Sequence, residues 1–127
     1  LTTNCLSVDG RIQKYEKMMV AQIFINNEKI FSFTGIEEEL LQQKMIEVLD
    51  KLNHSLRLDL ESYEVMVSTN KEQGTLRIGS EKIVSLSPKE VDVGNTGVTE
   101  VLEEAKKRIS KILWHLKLKL PVLLAKG

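Results

Sequence analysis

The chain has 127 residues, with 18 Lys plus Arg balancing 18 Asp plus Glu, 42% apolar residues and 5% aromatic ones. That length fits one domain, and the composition is that of an ordinary globular protein. The single Cys excludes a disulfide framework and a paired-cysteine zinc site, and zero net charge removes the usual footprint of a nucleic-acid binder.

Residues 1–19 read as a polar lead-in, with a turn at Asp9-Gly10 and a short helical stretch over 11–19. Leu1, rather than Met, is expected of a processed chain or a fragment, and no basic-then-apolar secretory signal opens it. Cys5 has no His close in sequence, whereas a nucleophilic cysteine needs a partnered base. Residues 20–34 place Ile- and Phe-rich segments on either side of Asn26-Asn27, a pair that tolerates the positive φ of tight turns. The expectation is a hairpin with strands near 21–25 and 29–33.

Thr34 and Glu37 have capping-box spacing, and Glu37, Glu38 and Glu39 suit the positive end of a helix dipole. The helix that follows carries Ile36, Leu40, Met45, Val48, Leu49 and Leu52 as its apolar stripe. Leu56, Leu58 and Leu60, then Tyr63, Val65 and Val67, alternate with polar residues and predict strand, with a bend near Glu61-Ser62. A loop over 69–74 leads to a second hairpin over 76–86, turning at Gly79-Ser80. Ser87, Pro88 and Glu90 begin a short helical turn. Residues 92–97 form a loop, and a last helix starts near Val98 or Thr99. Its buried stripe is Val101, Leu102, Ala105, Ile109, Ile112 and Leu113, and it weakens before Pro121.

The two hairpins align. Residues 23–33 match 76–86, with identities at Ile25/Ile78, Glu28/Glu81, Lys29/Lys82, Ile30/Ile83 and Ser32/Ser85. An amphipathic helix follows each. The expected fold is α+β: two hairpin-plus-helix halves, over 20–53 and 75–120 of a single domain spanning 1–127, sharing one antiparallel sheet packed against two main helices.

Chemistry is sparse. His54 and His115 are the only imidazoles, and each reads as a surface or partly buried polar residue rather than a catalyst. The segment from Asp92 to Gly97 is similar to the first phosphate motif of acetate-kinase and actin-like ATPases, but it precedes a helix in a chain too short for that fold, so a turn is the better reading. No catalytic, cofactor or metal site is expected. The most unusual stretch is the Leu- and Lys-rich tail, where Trp114, Leu116, Lys117, Leu118, Lys119 and Leu120 are the candidate interaction surface. It reads as a packed extension of the core helix, as a surface for a protein partner or a second copy, or as an approach to a membrane. Acid concentrates over 37–64, while from Glu104 onward that residue is the only acid in a basic segment.

The order of elements resembles the extracytoplasmic N-terminal module of cyanobacterial mechanosensitive-channel-like membrane proteins. The resemblance rests on the hairpin at 23–33, the helix at 36–52, the second hairpin at 76–86, the acidic turn at 88–91, the loop at 92–97 and the helix at 99–113. It implies a non-enzymatic accessory module of a membrane protein, facing the periplasm or a lumen. Without the resemblance, the expected compartment is cytoplasmic. The leading expectation is a non-catalytic interaction or regulatory module. The alternative is a small-ligand sensor of PAS-like or roadblock-like architecture, with Phe24, Phe31, Phe33, Tyr63 and Trp114 lining a pocket.

Overall fold

Asn26 and Asn27 carry the chain through its first hairpin at φ 52° and 68°, the left-handed pair that a type I′ turn requires. The flanking strands are β2 (Met19–Ile25) and β3 (Glu28–Gly35). The computed structural model describes residues 7–57, 64–70, 73–91 and 97–126, with side chains as far as His115. Preceding the hairpin is β1 (Val8–Lys14), paired antiparallel with β2. The first helix, α1, spans Glu38–Leu56. A second meander follows, with β4 (Val65–Thr69), β5 (Gly74–Ile78) and β6 (Glu81–Leu86). A 3-10 turn at Pro88–Glu90 leads on to α2 (Val98–Lys126).

The class is α+β, with helices packed on antiparallel sheets. Its strands divide into two three-stranded sheets, ordered β1-β2-β3 and β4-β5-β6, where a single shared sheet was expected. Each hairpin takes its third strand from the segment just before it, which leaves β3 and β6 as edges. The helices join the halves instead. α1 lies on β1 and β2 and reaches β6, while α2 lies on β4 and β5 and reaches β3. The buried apolar side chains form one cluster drawn from both halves, including Ile23, Phe33, Leu52, Leu76, Leu86, Leu102 and Ile109.

The two hairpins share a backbone irregularity. The pairing register shifts between Ile23 and Phe24 in the first and between Leu76 and Arg77 in the second, at aligned positions. Each shift inserts one extra residue on the return strand, so two residues face one. Ile30 and Phe31 are consequently both buried, as are Ile83 and Val84.

Several expectations are corrected. Residues 8–14 are strand rather than a turn and helical lead-in, because Val8, Gly10 and Ile12 turn one face toward α1. Gly10 holds its place through lack of a side chain, since a Cβ there would lie 2.8 Å from Met45 Sδ. Thr34 does not cap α1. It is buried at the end of β3 and donates its hydroxyl to the Lys89 carbonyl at 3.3 Å. Glu37 takes the cap position, with no side-chain cap bond.

The stripe of α1 is shifted by one residue at its start. Ile36 and Leu40 are exposed, and Leu41 joins Val48 and Leu52 in the core, with Met45 and Leu49 packed at its margin. Leu56 ends α1 as a buried helical residue, not a strand residue. Thr69 and Gly74, expected in the loop, belong to β4 and β5. The expected strand and bend over 58–63, and most of the loop at 92–97, lie outside the described residues.

α2 begins at Val98 and buries Leu102, Ala105, Ile109 and Leu113, with Val101 and Ile112 at the edge. Contrary to expectation it runs on through Pro121. A proline removes one backbone bond at a cost of about 3 kcal/mol, and the flanking Leu, Lys and Ala residues are strong helix formers. Among the described residues no helix is long and apolar enough to cross a membrane.

Candidate functional site

The seams where each helix meets the other half hold the most organised polar chemistry. Lys44 lies on the buried side of α1, between Leu41 and Val48. Its ammonium donates to the Ser85 carbonyl on β6 at 2.9 Å, pairs with the Glu90 carboxylate and sits 5.6 Å from the centre of the Phe33 ring. Glu90 Oε1 accepts from the Ser87 backbone N–H at 3.0 Å and from the Ser87 hydroxyl at 3.2 Å, so the capping chemistry read at this turn also positions the partner of Lys44. Burial pushes the Glu90 carboxyl up. The hydrogen bond and charge of Lys44, with the two Ser87 donors, outweigh it and hold Glu90 below its ordinary value.

The second seam has its own cation. Arg108 on α2 donates to the Lys29 carbonyl on β3 at 2.7 Å and lies 3.5 Å from that of Ile30. Its Nε is 3.3 Å from Glu104, one helical turn earlier. A helix-borne cation thus meets the backbone of an edge strand in the opposite half on both sides of the molecule, where backbone groups lack a strand partner among the described residues.

Beside Lys44 the α1–β6 seam opens into a shallow cleft of about 320 Å³. Lys44, Glu47, Lys51 and Lys82 stand around it, and Val48, Ile83 and Val84 form its apolar floor.

The residues singled out in the sequence are scattered. Trp114 is 53% exposed on α2, with its ring edge-on to His115 at a centroid distance of 5.4 Å. Leu116, Lys117, Leu118, Lys119 and Leu120 continue the same helix, and their side chains lie outside the described residues. His54 is exposed in the last turn of α1. Phe31 and Phe33 are buried 6.1 Å apart, while Phe24 lies on the other face of its sheet beneath Arg11. Those rings and Trp114 therefore do not line one cavity, and Tyr63 is outside the described residues. So are Cys5 and residues 92–96. Among the described residues no three His, Cys, Asp or Glu side chains converge as a metal site.

Lys44, Glu90 and Arg108 were not anticipated. The available signal was Lys44 itself, a cation on the apolar side of an amphipathic helix, where an unpaired charge is costly. No family model matches the chain, and neither a curated protein nor a solved structure is significantly similar to it.

Proposed function

We propose that the protein is a non-catalytic interaction module that works by associating with a protein surface, in the first instance a second copy of itself. The observation that carries this reading is large apolar side chains left in solvent on both helices. Ile36 is 82% exposed and Leu40 59% exposed at the start of α1, and Trp114 stands out from α2. The charges around these sites are opposite. Glu37, Glu38 and Glu39 flank the α1 pair, whereas Lys111 precedes Trp114 by about one helical turn and Lys117 and Lys119 follow it in sequence. Apolar anchors ringed by complementary charge favour association and steer its orientation. A reciprocal exchange, with the end of α2 of each copy on the start of α1 of the other, closes as a two-fold dimer.

Sedimentation velocity over a concentration series tests this. A mass that rises with concentration, and falls back when Ile36→Ser and Leu40→Ser are introduced together, supports the reading. A strict monomer throughout, or an association unchanged by those substitutions, overturns it.

We further read the two meander-plus-helix halves as copies of one unit. Support comes from the aligned identities, the register shifts at equivalent positions and the matching Thr34…Glu37 and Ser87…Glu90 pairs. The resemblance to extracytoplasmic modules of mechanosensitive-channel-like proteins favours a place beside a membrane protein. Co-sedimentation with anionic vesicles, compared before and after Lys117→Glu and Lys119→Glu, separates a lipid surface from a protein one.

A further inference from the structure

We propose that the open α1–β6 seam is a binding site for a small organic anion, a phosphate or carboxylate head carried on an apolar body. The inference uses a different surface from self-association save for Leu40, which also lines the cleft, and rests on a difference between the two seams. In the α2–β3 seam, the guanidinium of Arg108 occupies the space over the edge strand and is spent on the Lys29 and Ile30 carbonyls. Lys82 and Ile83 hold the aligned places in β6. Lys44 meets β6 farther along, at the Ser85 carbonyl, and beside it a cleft of about 320 Å³ remains.

The cleft is built for an amphiphilic anion. Its floor of Val48, Ile83 and Val84 is apolar, and the exposed Leu40 also lines it, so an apolar body gains contact there. Lys44 is committed to Glu90 and Ser85, and its charge is largely offset by the Glu90 carboxylate, which leaves the head group to the other lysines. Lys51 and Lys82 face the cleft from opposite walls, and among the described residues neither forms an ion pair. Two ammonium groups across a gap over an apolar floor attract a doubly charged head more than a singly charged one. Glu47 is the one carboxylate on the lining and opposes the anion. Its charge makes the proposal sharper, because removing it has a predicted sign.

The test is an amide chemical-shift titration of the full chain with phenyl phosphate, with benzyl alcohol as the neutral control. Saturable shifts confined to residues of α1 from Gln43 to Lys51 and of β6 from Lys82 to Ser85 are expected. Lys51→Gln with Lys82→Gln weakens binding by about tenfold, while Glu47→Gln tightens it. Lys106→Gln with Lys107→Gln, on the outer part of α2, leaves it unchanged. Thermal melts of each variant establish that it is folded. Shifts spread evenly over all lysine-bearing surfaces, an affinity indifferent to Lys51 and Lys82, or an equal response to benzyl alcohol would each overturn the proposal. A failure here leaves the sedimentation result untouched, so the two readings are judged separately.

Discussion

Lys44 of α1 pairs with Glu90 of the turn after β6, tying the first helix to the second meander across 46 residues of chain. Both side chains are about 30% exposed, so the pair is neither a screened surface contact nor a fully buried charge. Glu90 is held below its ordinary value near 4.5, so at a given acidic pH the unfolded chain takes up this proton more readily than the native one. The contribution of the pair is therefore complete above about pH 5 and drains away as pH falls through the lowered native value. Glu90→Gln is expected to cost about 1 kcal/mol at neutral pH, and the gap to the unsubstituted protein narrows on acidification. Urea unfolding at several pH values measures it. A gap constant with pH would mean that the Glu90 charge contributes nothing.

Adjacent leucines on α1 have opposite environments, which gives a direct test of the helix register. Leu41 is 4% exposed, whereas Leu40 is 59% exposed. Leu41→Ala removes buried methyl groups and is expected to destabilise by about 2–4 kcal/mol. Leu40→Ala should change stability by less than about 0.5 kcal/mol. Chemical denaturation of both variants checks the contrast, and equal losses would contradict the register.

What was legible in the sequence was local. The Asn26-Asn27 and Gly79-Ser80 turns, the Ser87-Pro88 start and the 3.6-residue stripe of α2 each depend on a few neighbouring residues, and all fall where the pattern placed them. β1 was missed because Asp9-Gly10 has turn chemistry, and Gly10 is strand only because Met45 and Leu49 pack over it. The division into two sheets was not legible, since nothing along the chain says which strand edges meet; the register shifts left a trace. Consecutive apolar pairs, Ile30-Phe31 and Ile83-Val84, break the period of two at aligned places and mark the extra residue on each return strand. The Lys44–Glu90 and Arg108–Lys29 contacts are tertiary, and spacing along the chain carries no trace of which carboxylate or carbonyl meets each cation.

The same close packing predicts an asymmetry between two strand glycines. A Cβ at Gly74 would lie 2.7 Å from both Leu102 Cδ1 and Val98 Cγ1, at the face of β5 that α2 covers. At Gly10 the nearest atoms are Met45 Sδ at 2.8 Å and Leu49 Cδ1 at 2.9 Å. Methionine is unbranched and shifts readily, and Met45 is only partly buried. Leu102 is fully buried and does not yield without moving α2, and Val98, partly buried at the start of that helix, is β-branched and stiff. Gly74→Ala is expected to cost about 1–3 kcal/mol, and Gly10→Ala clearly less. Thermal melts of the two variants give the order, and a more damaging Gly10→Ala would show that β1 is the tighter contact.

The first turn offers a stabilising substitution. Asn27 sits at φ 68°, a region that costs an ordinary L-residue roughly 1 kcal/mol or more and costs glycine nothing. Asn26 has a further task. Its side-chain oxygen accepts the Ser7 N–H at 2.9 Å, and its own N–H donates to the Ser7 carbonyl at 2.8 Å, closing the end of β1 onto the hairpin. Asn27→Gly produces the Asn-Gly pair that type I′ turns favour and is expected to leave stability unchanged or raise it by about 0.5 kcal/mol. Asn27→Ala should lower it by about 1 kcal/mol. Asn26→Gly relieves the backbone in the same way but forfeits the side-chain bond to Ser7, so it should gain nothing. Equilibrium unfolding of the three variants ranks them, and a stabilising Asn26→Gly would show that the Ser7 contact does not hold β1 in place.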